Sequence, residues 1–315
     1  MKELKALLAR AECAPGPLWV ATVVETRGSV YRRAGARLLI CDGCPVHGLV
    51  SGGCLEADLA ERAHQGPQLI TYNNAEELWG SGIGCNGTVS LWLEPLTARL
   101  LTFWKEALAQ RRPARSALVY RCQDGSFAAG QRWFDEEIPV AWQLGHYHGP
   151  GWSVYVEQLQ LPPRLLVCGA GPDAVPLVAG AVRLGWDVQL VDHRPAFLDP
   201  ERFAGAQLSS QPQIEPGSAV VIMSHNLDRD RAYLDLALAS AAAYIGMLGP
   251  WERSRGLLKG RRDERLHGPV GLDLGAQTPE EIAISILAEV MAVQSGRGGG
   301  FLRERHGRVL SSDRS

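Results

Sequence analysis

Residues 165–192 read LLVCGAGPDAVPLVAGAVRLGWDVQLVD, and three local patterns within them decide the fold of the second half. Leu165 to Cys168 is a short apolar run of the kind found in a buried strand. Asp173 to Leu184 has helical spacing, and Val188 to Val191 is a second strand. Between the first strand and the helix stands Gly169-Ala170-Gly171-Pro172-Asp173-Ala174, a G-x-G-x-x-A turn. Gly169 permits the tight turn, and Gly171 lets backbone N–H groups approach a phosphate. Ala174 lets the helix pack closely on the strand, and the helix N-terminus attracts an anion. Asp192 closes the second strand where a carboxylate accepts hydrogen bonds from ribose hydroxyls. A turn residue capping Arg194 is the competing reading of the same position. The loop suits NAD, but equally any other phosphate-bearing ligand.

Outward from this unit the alternation continues. Ala219 to Met223 reads as a strand, Arg231 to Ala243 as a helix, and Tyr244-Ile245-Gly246 as a further strand. Strand–helix alternation with short loops predicts a parallel, doubly wound, Rossmann-like sheet. Thr278-Pro279-Glu280-Glu281 is a capping box with proline at the first helical position, opening a last helix that runs to about Val293. Ser224-His225-Asn226 and Gly246 to Gly249 follow strands at their carboxyl ends, where such a sheet holds ligands. His225 is a candidate proton carrier or donor, or else a cap. Asp273 either meets a ligand or satisfies backbone N–H groups.

The first half reads as a mixed α/β domain. Strands are predicted at Leu18–Thr26, Ala36–Cys41, Val46–Val50, Leu69–Tyr72, Thr88–Leu93 and Trp152–Glu157, with a helix at Thr97–Arg111. Gln131 to Gly151 has no period. Leu161-Pro162-Pro163 marks the boundary, because paired prolines rarely sit inside elements. The expected division is 1–160, 161–295 and a basic, glycine-rich, flexible tail 296–315.

The 315 residues carry a net charge of −2, with 46% hydrophobic and 21% charged side chains. That balance is ordinary for a soluble globular chain and argues against a groove tracking nucleic acid. The longest apolar run, 236–249, is shorter than the roughly 20 residues a membrane span needs. MKELKALLARAEC has amphipathic rather than signal-peptide character. The 7 cysteines form an odd, scattered set that suits reduced thiols in a cytoplasm.

Two cysteines stand in glycine-dense turns. Ser51-Gly52-Gly53-Cys54-Leu55-Glu56 puts a thiol at the first turn of a predicted helix, where N–H groups favour a thiolate. Cys85 sits in Gly82-Ile83-Gly84-Cys85-Asn86-Gly87. A buried small hydrophobe is the alternative reading of each. Cys41-Asp42-Gly43-Cys44 has C-x-x-C spacing, but a tight turn explains it without metal. Cys168 belongs to a core strand.

Taken together, GSVYRRAGARLLI, GLVSGGCLE and GIGCNGTVSLWLEP in the first half, with LLVCGAGPDAVPL, GWDVQLVDHRP, VIMSHN, YIGMLG and PVGLDLGAQTPEEIAISILAEVMA in the second, resemble the XdhC/CoxI family. Its members are accessory proteins of xanthine dehydrogenase. The resemblance spans both halves, from Lys2 to Val293. It implies a cytoplasmic chaperone that transiently binds the molybdenum cofactor, as molybdopterin or its cytosine dinucleotide form. It further implies help with sulfuration by a cysteine desulfurase and insertion into a xanthine dehydrogenase or aldehyde oxidoreductase-type apoenzyme. A homodimer is compatible with it, and neither nucleic acid nor membrane is an expected partner.

The family's motif positions fall on Gly52, Gly53, Cys54, Glu56, Cys85 and Gly87, and on Gly169, Gly171, Asp192, Arg194, His225 and Asn226. Cys54 and Cys85 are the implied molybdenum or sulfur ligands. Asn86 departs from the family's G-C-G-G, and Ser224 from its T-H-N. An NAD(P)-dependent oxidoreductase is the alternative function, and a scaffold that has lost its ligand is a third.

Overall fold

In the computed structural model the described residues are 2–28, 30–73, 87–258, 260 and 262–304. The chain divides into two units, Met1–Leu161 and Pro162–Ser315.

The first unit runs α1 (Lys2–Cys13), β1 (Leu18–Arg27), β2 (Arg37–Cys41), β3 (Cys44–Gly48), α2 (Glu56–Arg62), β4 (Gln68–Asn73), β5 (Thr88–Pro95), α3 (Ala98–Ala109), β6 (Ala114–Cys122), β7 (Arg132–Phe134), β8 (Gly145–Gly149) and β9 (Trp152–Leu159). Five strands form a sheet in the order β3-β2-β1-β5-β4, antiparallel throughout. Both faces are covered. Val20 and Leu39 pack with α1 and α3, around Leu7 and Trp104. Ala21, Val23, Leu38 and Ile40 pack with Leu59 of α2. Burial on both faces is why β1 reads as an almost unbroken apolar run.

The remaining four strands form a second antiparallel sheet, β7-β6-β9-β8. The aperiodic stretch 131–151 therefore contains two strands, β7 and β8. β6 is likewise absent from the strands predicted above. β7 is only three residues long, and β8 reads GHYHG with no β-branched residue. Their pairing with β6 and β9 supplies the order that local propensity lacks. β3 starts two residues earlier than predicted. Asp42 and Gly43 make a two-residue turn with φ of +49° and +71°, so Cys41 and Cys44 face each other as its flanking pair. The C-x-x-C spacing is this turn.

The second unit comprises β10 (Arg164–Cys168), α4 (Ala174–Arg183), β11 (Asp187–Val191), β12 (Gln207–Ser209), β13 (Ala219–Ile222), α5 (Leu227–Ala239), β14 (Tyr244–Met247), α6 (Trp251–Leu258), β15 (Leu266–His267) and α7 (Pro279–Gln294). Its sheet is wholly parallel in the order β12-β11-β10-β13-β14-β15. Counted along the chain this is 3-2-1-4-5-6, the Rossmann order, which reverses between its first and fourth strands. Leu165, Val167, Ala219 and Val221 face α4 and α7. Leu166, Cys168, Val220 and Ile222 face α5 and α6. The predicted doubly wound sheet is thus present. α5 begins four residues earlier than predicted, because Asn226 caps it by accepting from the Asp228 and Arg229 N–H groups at 3.1 Å. No helix among the described residues is long and apolar enough to cross a membrane.

Candidate functional site

Adjacent strands β10 and β13 send their following helices to opposite faces, so a crevice opens between their carboxyl ends. Gly169–Asp173 forms one lip and Ser224–Asn226 the other. Gly169 has φ +120°, and a Cβ there would stand 2.5 Å from the Met223 carbonyl oxygen. Only glycine lets the two loops approach this closely.

The lips meet through side chains. His225 Nε2 lies 2.7 Å from Asp173 Oδ2. His225 has φ +58°, the left-handed region, and its ring is exposed. Asp173 is mostly buried, and its second oxygen, Oδ1, is buried with no hydrogen-bond partner among the described residues. Gly171 makes room for that carboxylate, since a Cβ on it would fall 2.7 Å from Asp173 Oδ1. Sequence reasoning misses Asp173 as a functional residue. Its only signal there is an acid in the final x of G-x-G-x-x-A, where the helix starts.

The carboxylate expected to bind ribose is already engaged. Asp192 is fully buried. It accepts from the Ala170 N–H at 2.8 Å, from the Arg194 N–H at 2.9 Å, and from Arg194 Nε and Nη2 at 2.9 and 2.8 Å. These bonds occupy the lone-pair sites a carboxylate offers. Burial works against its charge, but the Arg194 guanidinium and the two N–H groups outweigh it and hold the carboxyl far below its usual range. The reading of Asp192 as a partner of Arg194 is the one this geometry supports. The Arg194 guanidinium also stacks 3.7 Å over the Phe197 ring.

The phosphate cradle is correspondingly reduced. The Ala170 N–H is spent on Asp192, Pro172 has no N–H, and the Asp173 carboxylate lies beside Gly171. Asn226 is a helix cap. Ser224 Oγ donates to Asp230 Oδ1 at 2.5 Å, and Asp230 is in turn paired with Arg253. Burial pushes the Cys168 thiol up, so it stays protonated in its strand.

In the first unit the loop before α2 closes on itself. Glu56 Oε1 accepts from the Val50 and Ser51 N–H groups at 3.0 and 2.8 Å, and Ser51 Oγ donates to Oε2 at 2.5 Å. Ser51 Oγ in turn accepts from the Gly53, Cys54 and Leu55 N–H groups at 3.0–3.1 Å. Burial alone would raise Glu56, but these bonds outweigh it and hold the carboxyl below its ordinary value. Two expectations change as a result. Leu55 is the helix N-cap, so Cys54 precedes the helix instead of standing in its first turn. The N–H groups expected to favour its thiolate are bound to Ser51. The thiol itself is exposed, and among the described residues no side chain fills the space where a Cβ on Gly52 or Gly53 would sit.

Cys85 and Asn86 lie outside the described residues. Among those described, no group of three or more His, Cys, Asp or Glu is placed to hold a metal ion. His225 and Asp173 come together in the crevice, Asp192 and Arg194 beside it, and Ser51, Cys54 and Glu56 in the other unit's loop.

Comparison with known proteins gives a consistent picture. Residues 165–290 match the XdhC Rossmann domain, and residues 13–73 the XdhC and CoxI family. A probable xanthine dehydrogenase subunit of Bacillus subtilis is 31% identical to the chain over 305 residues, which cover 86% of this chain and 92% of that one. The molybdenum cofactor insertion chaperone PaoD of Escherichia coli is 27% identical over 289 residues, covering 87% and 82%. A crystal structure described as a xanthine dehydrogenase from Bacillus halodurans superposes with a TM-score of 0.82. It is 32% identical, and the match covers 94% of this chain and 97% of that one.

Proposed function

The chain belongs to the XdhC and CoxI family, and on that premise we propose that it is an accessory protein of the molybdenum cofactor. It holds the cofactor and hands it to the apoenzyme of a molybdenum hydroxylase, of xanthine dehydrogenase or aldehyde oxidoreductase type. The likeness to an insertion chaperone along most of the chain supports this reading. The observation that carries it against a nicotinamide-dependent oxidoreductase is the saturation of Asp192. A carboxylate bound to Ala170 and Arg194 has no lone pair left for the ribose of a dinucleotide.

The crevice between β10 and β13 is the place proposed for the pterin end of the cofactor, with Gly169, Gly171 and Asp173 on one lip and His225 on the lip that opens to admit it. The group fits on one structural ground. The buried Asp173 Oδ1 has no donor among the described residues, and a pterin ring carries N–H donors. Arg194 and Asn226 support the lips. Cys54, exposed on its own loop with Gly52, Gly53 and Glu56 around it, is proposed as the soft ligand or sulfur carrier, a role a thiolate is chemically suited to. Cys85 is proposed for the same role. The bound cofactor would supply the molybdenum chemistry, and this chain's part is to bind, orient and release it. A cysteine desulfurase is the proposed partner for sulfuration, and the cytoplasm the proposed compartment.

The test is to purify the chain from cells with an active molybdenum-cofactor pathway, then oxidise it and read pterin fluorescence. Stoichiometric pterin, released on adding a molybdenum-hydroxylase apoenzyme that then gains activity, is the expected result. Bound nicotinamide dinucleotide, or no ligand with no activation, would overturn the proposal.

A further inference from the structure

Asp173 and His225 form a contact across the point where the sheet order reverses, and the contact leaves chemistry unfinished. One carboxylate oxygen faces the His225 ring at 2.7 Å. The other is shut away from water and has no donor among the described residues. A buried carboxylate oxygen without a donor is costly, and it is relieved by any partner that brings one. The residues around it do not suit an anion, because Pro172 lacks an N–H and the Ala170 N–H is taken by Asp192. A phosphate beside Asp173 would also meet a like charge. His225 lies over Oδ2 with its ring exposed, held at φ +58° on a loop of its own. That is a backbone region a non-glycine residue occupies at some cost.

We infer that Asp173 is the recognition group for the hydrogen-bond-donor edge of a 2-amino-4-oxo-pyrimidine ring, and that His225 is a displaceable cover over it. This inference rests on the proposed function, because the molybdenum cofactor brings such a ring in its pterin. The ring presents an N–H and an NH2 side by side, which match the two oxygens of one carboxylate once His225 swings away. Cytosine, which puts a ring acceptor beside its amino group, does not match. The crevice therefore takes the pterin end of the cofactor, with the phosphate directed away from Asp173. Guanine shares the donor edge with pterin, so the two sources are separated by experiment.

The experiment measures binding of free pterin, lumazine and guanosine to the full chain by fluorescence and calorimetry. Lumazine replaces the 2-amino group with an oxygen. The unsubstituted chain is expected to prefer pterin over lumazine by about tenfold or more, the size of a hydrogen bond to a charged group. Asp173→Asn removes the preference and weakens pterin binding by about tenfold. His225→Asn accepts the left-handed backbone and is expected to bind pterin at least as tightly as the unsubstituted chain. Equal affinities of Asp173→Asn and the unsubstituted chain for pterin would overturn the inference. So would tighter binding of guanosine than of pterin, or a loss in His225→Asn as large as that in Asp173→Asn. If the chain retains the whole cofactor while Asp173→Asn changes nothing, this inference fails and the proposed function stands. If neither pterin nor the cofactor binds, both fail.

Discussion

Replacing Asp192 by asparagine keeps the side chain's size and removes the charge that Arg194 and the Ala170 N–H bind. The loss of hydrogen bonds to a charged, buried group predicts a destabilisation of about 2 kcal/mol or more in urea unfolding. A cost near zero would mean that Arg194 is held by something else. Cys54→Ser predicts the opposite pattern. The exposed thiol contributes no packing, and it is the Cys54 N–H that binds Ser51, so the fold and its stability should be unchanged. Cofactor retention and client activation per folded molecule should fall sharply, because a serine hydroxyl is rarely ionised at neutral pH. Normal activation by the variant would remove the thiolate role. These two residues show how far a motif can be read. Glycines and acids at fixed spacing locate the loops correctly, yet spacing cannot tell whether a carboxylate looks outward or is consumed by its own backbone. Asp173 escapes notice for the complementary reason. Its neighbour across the crevice, His225, is 52 positions away in the chain, and no local pattern links them.

The cap of α7 is an element where local sequence and observed structure agree. Thr278 accepts from the Glu281 N–H, and Glu281 returns the bond to the Thr278 N–H, as the capping box requires. Thr278→Ala should cost about 1 kcal/mol, whereas Thr278→Ser should cost much less. Asn226 does the same service for α5, so Asn226→Ala should cost a similar amount and Asn226→Ser should largely restore it. If Asn226→Ser kept its stability but lost the cofactor, the amide would be a ligand contact as well as a cap. The four central strands of the second unit are legible because a parallel sheet buries both faces and writes continuous apolar runs, such as AVVI in β13. The short edge strands β12 and β15 carry no such run and are absent from the strands predicted above. The sheet β7-β6-β9-β8 is likewise not legible, apart from β9. Its ladder joins β6 to residues many positions later, and the three-residue β7 carries too little pattern to register alone. Short strands take their order from their partners, which a window of neighbouring residues does not contain.

At the scale of the molecule, a buried carboxyl in each unit, Glu56 in the first and Asp192 in the second, is held in its charged form by the fold. Both are held below their ordinary values, by hydrogen bonds that outweigh the burial acting against them. In the unfolded chain these groups titrate near pH 4. A carboxyl with a folded value below its unfolded one contributes stability that is fully present above the unfolded value. That contribution is lost progressively as pH falls toward the folded value. The thermal midpoint should therefore be nearly flat from pH 7 to about 5 on this account, and then decline below about pH 4. Glu56→Gln and Asp192→Asn remove the titrating groups while keeping their shapes. Each variant should start lower at pH 7 and show a shallower decline on acidification, and the double variant should be shallower still. The two losses should add, because the residues belong to different units and share no hydrogen-bond partner. Parallel acid profiles for the parent and both variants would show that other carboxylates set the acid limit. The loops at Glu56 and Asp192 would then owe their order to packing rather than to charge.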